Sequence, residues 1–281
     1  MNTLSPFTEI ADRVFVLVEP LIQVNATLVV GDGQALIVDT LSTGGQASEL
    51  CEAIRGITPA PLTVVNTHHH FDHTFGNATV DALDGPVTIW GQEEAARLLA
   101  EIGVELRQEA ADEYPELAEA IQQVQLRPPD RTVHRSSTLD IGGRRIELYH
   151  LGRGHSEGDL VVEVTDAAVI VAGDLVEEGN APSFGDAYPI SWPDTLGALR
   201  DRLSPATRVV PGHGAVVGAE FVRAQHDELS AVAWLIREAH ADDGDPEKVA
   251  RSMPLCRWGD YGLAQARFAA DRGYRELDAR L

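Results

Sequence analysis

Seven consecutive residues, Thr67 to His73, constrain this chain more than any other part of its sequence. They read Thr-His-His-His-Phe-Asp-His and follow Leu62 to Asn66, an apolar run that predicts a buried strand. Imidazole and carboxylate groups suit zinc and related divalent ions. Burying this many polar groups without partners would cost too much free energy. The segment therefore predicts a metal site at a strand end, where α/β proteins place their sites; a surface histidine cluster is the alternative if the segment is taken alone.

Three later segments add to this prediction. Gly154-His155-Ser156 precedes a predicted strand, Gly173-Asp174 ends the predicted strand Ala168 to Ala172, and Pro211-Gly212-His213-Gly214 comes after the short apolar pair Val209-Val210. The glycines let the backbone pass close to a site. Each segment alone is typical of an ordinary loop, but together and in this order they indicate one metal centre.

This order of motifs resembles the metallo-β-lactamase superfamily, over about Val14 to Gly214. The resemblance implies an α/β fold, a four-layer αββα sandwich with a helical C-terminal region and a metal cleft at one edge of the two sheets. It assigns the first metal to His68, His70 and His155. It assigns the second metal to Asp72, His73 and His213, with Asp174 bridging the two ions. Asp39, after the predicted strand Ala35 to Val38, resembles an acid that orients a metal-binding histidine.

The cofactors implied by the resemblance are two Zn²⁺ ions per chain, with iron or manganese as alternatives. Such ions lower the pKa of a bridging water from about 15.7 toward about 7. The resulting hydroxide would attack the carbonyl of a small-molecule ester, lactone, thioester or amide, and Asp72 would also orient it as the catalytic carboxylate. The spacer residues His69 and Phe71 are expected to point away from the metals.

The residues just after Asp174 narrow the branch of the family. Well-known β-lactamases of the superfamily have a cysteine at this bridging position and commonly a lysine three residues later, where this chain has Glu177 and then Glu178. Two carboxylates at the cleft mouth would repel an anionic β-lactam, so the sequence predicts weak β-lactamase activity at most; the alternative is that both side chains point into water and have no effect on the substrate. Lactonases of the same fold have all seven of these ligands. Glyoxalase II also has the aspartate bridge, but this chain has no evident counterparts of the residues with which glyoxalase II binds glutathione. A persulfide dioxygenase, which uses a subset of these ligands for one iron, is the non-hydrolytic alternative.

Two domains are predicted: residues 1–218 form the catalytic domain and residues 219–281 a helical extension. A helix is expected over Gln92 to Ile102, and the segment Gly103 to Gln125 is interpreted as a helical insertion near the cleft or a solvated linker helix. The stretch Glu177 to Trp192 predicts a loop over the cleft. Its tentative substrate-binding residues are Asn180, Phe184, Tyr188 and Trp192, and an ordinary self-packed loop is the alternative.

Charge and composition limit the partners. The 44 acidic and 22 basic residues give a net charge of −22, which repels phosphate backbones and argues against nucleic acid. No apolar run is long enough to cross a bilayer, so no membrane partner is expected. Residues 1–12 show no secretion signal, and two distant cysteines indicate free thiols in a reduced cytoplasm. The expected partner is a small-molecule substrate, and the sequence leaves homo-oligomer formation open.

Overall fold

The computed structural model describes residues 4–279 of the chain. Residues 1–3 and 280–281, which contain the outer ends of the two predicted domains and the start of the segment inspected for a secretion signal, lie outside the described residues. Among the described helices, none combines the length and the apolar character needed to cross a membrane.

Thirteen strands of the described residues form two sheets. The first sheet contains β1 (Thr8–Ala11), β2 (Val14–Val18), β3 (Asn25–Val30), β4 (Ala35–Val38), β5 (Leu62–Val65), β6 (Thr88–Gln92) and β7 (Arg131–Val133). These strands neighbour one another in chain order. The second sheet contains β8 (Ser136–Ile141), β9 (Arg144–Tyr149), β10 (Val161–Val164), β11 (Val169–Glu177), β12 (Arg208–His213) and β13 (Val217–Gly218). It too follows chain order, so few crossovers are needed.

The helices connect and cover these strands. They are α1 (Gly44–Arg55), α2 (Phe71–Thr74), α3 (Asn77–Asp84), α4 (Glu93–Glu113), α5 (Ala118–Gln122), α6 (Trp192–Arg200), α7 (Ala219–Ala241), α8 (Pro246–Ser252) and α9 (Gly259–Asp278). A short 3₁₀ helix, Pro254–Trp258, precedes α9.

The two sheets pack face to face between helical layers. Strand β4 shows this because successive side chains point to opposite faces and both faces are buried. Leu36 and Val38 join the core between the sheets, whereas Ala35 and Ile37 join the core beneath α1. On the other side, α7 and α9 pack on the outer face of the second sheet. The result is the four-layer αββα sandwich with a helical C-terminal region, as predicted.

Two predicted elements, one helix and one strand, were too short, because each continues further along the chain than the local sequence pattern indicates. The helix expected to end at Ile102 continues to Glu113, and Leu126 packs against it at Gly103, where a Cβ atom would lie 2.9 Å from the Leu126 side chain. The segment Gly103 to Gln125 therefore does not begin at a helix boundary. The strand expected over Ala168 to Ala172 continues to Glu177, so Asp174 lies within a strand. Packing sustains both elements through glycine and polar residues, since β11 is buried along its whole length and one face of α4 is buried from Ala95 to Ala111.

The carboxyl ends of parallel strands define the edge that carries the predicted metal site. Strands β4 and β5 are parallel in the first sheet, and β11 and β12 are parallel in the second. The two sheets are joined at this edge by Asn25, whose side-chain amide donates to the carbonyl oxygens of Pro211 at 2.9 Å and Gly214 at 3.0 Å. The end of β12 and the loop after it are thus held against the first sheet.

Candidate metal centre

Three histidines from two loops converge on one point. His68 and His70 come after β5, and His155 lies in the loop between β9 and β10. The Nδ1 atom of His70 is 3.0 Å from Nε2 of His68 and 2.9 Å from Nε2 of His155. The Oδ2 atom of Asp174 lies 3.7 Å and 3.4 Å from the same two Nε2 atoms. We call His68, His70 and His155 the first group.

A second set of ligand-type atoms lies beside the first. Asp72 and His73 are in α2, and His213 ends β12. The Oδ2 atom of Asp72 lies 3.2 Å from Nε2 of His213 and 3.5 Å from Nε2 of His73. We call these three residues the second group. Asp174 contacts this group as well, with Oδ1 at 3.2 Å from His73 Nε2 and Oδ2 at 3.5 Å from His213 Nε2.

The donor atoms fit divalent metal ions. Ligand atoms about 2.1 Å from a tetrahedral zinc ion lie about 3.4 Å from one another, and the distances within each group are close to that spacing. Both Nε2 of His73 and Oδ1 of Asp174 are buried without a hydrogen-bond partner among the described residues. Buried polar atoms without partners are costly. These two atoms lie 3.2 Å from each other, which indicates a position where a metal ion would satisfy both.

Each of these five histidines uses its outward nitrogen to contact a neighbour. His73 Nδ1 lies 2.8 Å from a carboxylate oxygen of Asp39, and His213 Nδ1 lies 2.8 Å from the carbonyl oxygen of Ile22. His70 Nε2 lies 3.1 Å from Oδ1 of Asp186. Since each of these oxygen partners can only accept a hydrogen bond, the proton sits on the outward nitrogen. The inward nitrogen is then free to bind a metal.

The other two histidines have similar partners. His68 Nδ1 lies 3.1 Å from the hydroxyl oxygen of Thr67, and that hydroxyl donates to Asp39 at 2.7 Å. His155 Nδ1 lies 3.5 Å from Oε1 of Glu177, which is ion-pair distance rather than a short hydrogen bond. Asp39 also accepts from the backbone N–H of Thr67 at 2.8 Å, so one carboxylate supports both groups.

The centre's own residues carry too little positive charge to balance its carboxylates. Burial lowers the pKa of His155, but the carboxylates of Asp174 and Glu177 outweigh burial and raise it to about 10. Burial is likewise outweighed at His73 and His213, whose pKa values are raised well above the ordinary value by Asp72 and Asp174. Protons on these rings compensate the buried carboxylates, and bound cations would do so more completely.

Two glycines let the backbone approach Asp174. A Cβ atom on Gly212 would lie 1.6 Å from Oδ1 of Asp174, so no side chain fits there. Gly173 has a φ of +54°, in the left-handed region that glycine adopts without strain, and a Cβ atom there would lie 2.7 Å from Cβ of Thr67. The glycines that flank the predicted ligands in the sequence therefore have a steric reason.

The tentative substrate-binding residues divide into two kinds. Phe184 and Trp192 are fully buried in the core of the second sheet, so the prediction that they contact substrate was wrong. Their apolar rings complete that core, and the Trp192 ring packs edge-on against His155 with centroids 5.7 Å apart. Asn180 is exposed and its side chain accepts from the backbone N–H of Ala181 at 2.9 Å. Tyr188 is partly buried and donates to Glu157.

Glu177 and Glu178 do not form a negative mouth, and this corrects the sequence-based expectation. Glu177 is the last residue of β11 and is only 8% exposed. Its Oε1 accepts from the backbone N–H of Ser183 at 2.9 Å and lies beside His155. Glu178 accepts from the backbone N–H of Ala215 at 2.7 Å, in the loop after His213. Both carboxylates support the loops that carry ligands rather than face a substrate.

His69, the spacer that was expected to point away from the metals, is buried with its Nε2 3.4 Å from Asp186, so its ring stands outside the two groups. Sequence reasoning missed other residues near the centre. Tyr114, after α4, packs against Phe71 with ring centroids 5.2 Å apart. The neighbouring Glu113 lies in the field of Asp72 and His70. No local motif marks these positions, because the chain brings them to the centre from distant segments.

Comparison with known proteins agrees with this geometry. The family model of the metallo-beta-lactamase superfamily matches residues 20–213. A metallo-beta-lactamase type 2 from Bacteroides fragilis is 23% identical over 76% of this chain and 81% of its own length. An acyl-coenzyme A thioesterase MBLAC2 from Gallus gallus is 26% identical over 70% of this chain and 74% of its own. The solved structure of a metallo-beta-lactamase from Pontibacter korlensis superposes with a TM-score of 0.67 at 24% identity, covering 81% of this chain and 99% of that one.

Proposed function

The chain belongs to the metallo-beta-lactamase superfamily of metal-dependent hydrolases, and from that premise we propose that it is a dinuclear zinc enzyme that hydrolyses a carbonyl compound. The observation that carries the proposal is Asp174, which contacts both groups of ligand-type atoms. We assign His68, His70 and His155 to one metal, and Asp72, His73 and His213 to the other, with Asp174 shared.

The chain's own residues would arrange the reaction. Bound divalent ions lower the pKa of water and polarise a carbonyl oxygen. Asp72 is placed to orient a water molecule, since its carboxylate is buried at the second group and its pKa is lowered mainly by His73, against the effect of burial. It therefore remains an ionised hydrogen-bond acceptor at neutral pH. Asp39, Asp186 and Glu177 hold the ligand rings in position, which reduces the reorganisation needed during the reaction.

The rim of the centre favours a neutral or cationic small molecule. Glu113 is the last residue of α4 and is exposed at this rim. Partial burial and the neighbouring carboxylate of Asp72 raise the pKa of Glu113. Within residues 4–279 no lysine or arginine pairs with Glu113. Phe71 and Tyr114 supply an aromatic surface beside it. This rim opposes a carboxylate-bearing β-lactam and suits a neutral or cationic ester, lactone or thioester.

The test combines metal analysis with a substrate panel. Purified protein should contain close to two zinc ions per chain, and chelation should abolish turnover that added zinc restores. We expect turnover of a neutral ester or lactone, or of a cationic thioester such as acetylthiocholine, to exceed that of a β-lactam at least tenfold in kcat/KM, about 1.4 kcal/mol.

The alternatives give different results in the same experiment. A single iron per chain with oxygen uptake on a persulfide would support the dioxygenase function instead. Turnover that survives both chelation and Asp72→Ala would contradict the proposed site.

A further inference from the structure

The loop over residues 178–191 contacts the first group through one side chain. Asp186 lies in this loop, between β11 and α6, and its Oδ1 is 3.1 Å from Nε2 of His70. Its Oδ2 is 3.4 Å from Nε2 of the neighbouring His69. Because His70 Nδ1 is the atom that meets His68 and His155, the placement of Asp186 controls the orientation of a proposed ligand.

The C-terminal helix α9 holds this loop through its backbone. Arg272 donates from Nη2 to the carbonyl oxygen of Asp186 at 2.6 Å and from Nε to the carbonyl oxygen of Ala187 at 3.0 Å. Its guanidinium carbon also lies 5.3 Å from the ring centre of Tyr188. A planar guanidinium with several fixed donors can bind two neighbouring carbonyls at once, which a lysine cannot reproduce.

Two more residues of α9 bind the same loop. Gln265 accepts from the backbone N–H of Phe184 at 2.7 Å, and Glu276 accepts from that of Ile190 at 2.9 Å. Arg272 and Glu276 follow Gln265 by seven and eleven positions, so all three residues lie on one face of the helix. These three side chains hold the loop on both sides of Asp186 from one face of the helix.

We propose that Arg272 is a positioning residue of the metal centre, through which the C-terminal helix sets the affinity for the metal of the first group. The line of contact runs from Arg272 to the backbone of Asp186, from its carboxylate to His70 Nε2, and from there to His70 Nδ1, the atom that would hold the metal. The proposal rests on the assignment of the first group under the proposed function. It makes the helical C-terminal region a working part of the site, although that region lies beyond the residues matched by the family model.

The experiment measures metal affinity in the full-length protein. Zinc binding is followed by competition with a chromophoric chelator, for Arg272→Gln, Asp186→Asn and the double variant. We expect each single variant to lower the affinity for one of the two zinc ions about tenfold. This lies within the range seen when a residue that hydrogen-bonds to a metal ligand is replaced. The double variant should be no weaker than Asp186→Asn, because Arg272 acts through Asp186. Arg272→Lys should recover only part of the affinity.

Arg275→Gln is the matched control. Arg275 lies one turn further along α9, is exposed, and pairs with Asp271 at 3.0 Å, so its loss should leave both affinities unchanged. Thermal unfolding of the chelated protein, followed in parallel, separates damage to the fold from damage to the site.

Four outcomes would overturn the proposal. Arg272→Gln could leave both affinities intact, its effect could add fully to that of Asp186→Asn, or it could lower both affinities equally together with the stability of the metal-free protein. Loss of a third equivalent of zinc in Asp186→Asn would instead make Asp186 a ligand. If the wild type binds only one zinc ion, the dinuclear function fails, while the Arg272 proposal still requires that this one affinity falls.

Discussion

At the scale of single residues, the chemistry of the centre depends on which ring nitrogen of each histidine faces inward. Four of the outward partners are side chains: Thr67, Asp39, Asp186 and Glu177. Only Asp39 was predicted, as the acid that the family resemblance implies. Glu177 was predicted to face substrate, whereas the extension of β11 turns it toward His155. A side chain's role thus depended on strand length rather than on its charge.

The proposed ligands can be tested by removing one from each group. Asp72→Ala and His155→Ala should each lower kcat/KM at least about 100-fold, about 2.7 kcal/mol, and should each lower the zinc content. The physical reason is that each variant removes a donor atom and leaves the partner groups uncompensated. Elemental analysis and steady-state kinetics on the same samples measure both effects.

His134→Ala is the control for these variants. The His134 side chain is 74% exposed and pairs with Glu93 on the surface, so activity and metal content should stay at the wild-type level. Full zinc content in His155→Ala would remove His155 from the first group.

The corrected position of Glu177 changes its expected effect. Glu177→Gln should lower zinc affinity about tenfold and leave the ratio of turnover between anionic and neutral substrates unchanged, because its carboxylate faces His155 and not the substrate. The matched control is Glu163→Gln on β10, a partly buried glutamate with no contact to the predicted ligands among the described residues. A change in substrate charge preference with unchanged affinity would instead make Glu177 a substrate-facing residue.

At the scale of elements, the site is built from strand ends and from one long helix. The C-terminal end of α4 reaches the centre, since Tyr114 packs against Phe71 and α4 contacts α2. The predicted proximity of the segment Gly103 to Gln125 to the cleft is supported at this end. The whole segment is not a detachable insertion, however, because α4 is continuous from Glu93. Deleting it would cut a helix that contributes Leu99, Ala110 and Ala111 to the core.

A single substitution is therefore the sharper test of the role of α4. Tyr114→Ala should raise kcat/KM for a bulky acyl substrate relative to a small one about fivefold, about 1 kcal/mol, because it removes an aromatic wall beside Phe71. Zinc content should not change. Val104→Ala serves as the control on the same helix, since Val104 is 59% exposed. An unchanged ratio in Tyr114→Ala would place the limit on substrate size elsewhere.

At the scale of the whole molecule, net charge and local charge have opposite consequences. The chain carries −22 overall, yet burial concentrates Asp72, Asp174 and five imidazoles at one edge of the sandwich. In the metal-free protein the raised pKa of His155 couples this centre to global stability. Stability at a given pH therefore depends on whether protons or metal ions compensate the carboxylates.

The sign of this coupling gives a prediction. His155 has a pKa of about 10 in the folded protein against 6.5 for an unperturbed histidine. Its contribution to stability is thus complete below about pH 6.5 and is lost as the pH rises through 10. The midpoint temperature of unfolding of the chelated protein should decrease as the pH rises from 6.5 to 9.5. The increase in this temperature on adding zinc should grow over the same pH range, because metal replaces protons.

Thermal unfolding with chelator and with excess zinc, at several pH values, measures both trends. His155→Gln should flatten the fall in the chelated protein. A chelated wild type that becomes more stable across this window would contradict the charge assignment.

The sequence by itself determined the fold class and pointed to the set of ligand-type residues that the structure brings together. It could do so because the motifs are local: His68, His70, Asp72 and His73 stand within six residues directly after a strand, and Gly212 must be small because a Cβ atom there would collide with Asp174. The bounds of α4 and β11, and the roles of Glu177, Phe184 and Trp192, were decided only by tertiary packing. Asp186 and Arg272 show why. Asp186 contacts His70 across 116 positions of the sequence, and Arg272 contacts the backbone of Asp186 across 86. Such contacts arise from the packing of layers, which leaves no periodic or local pattern in the chain.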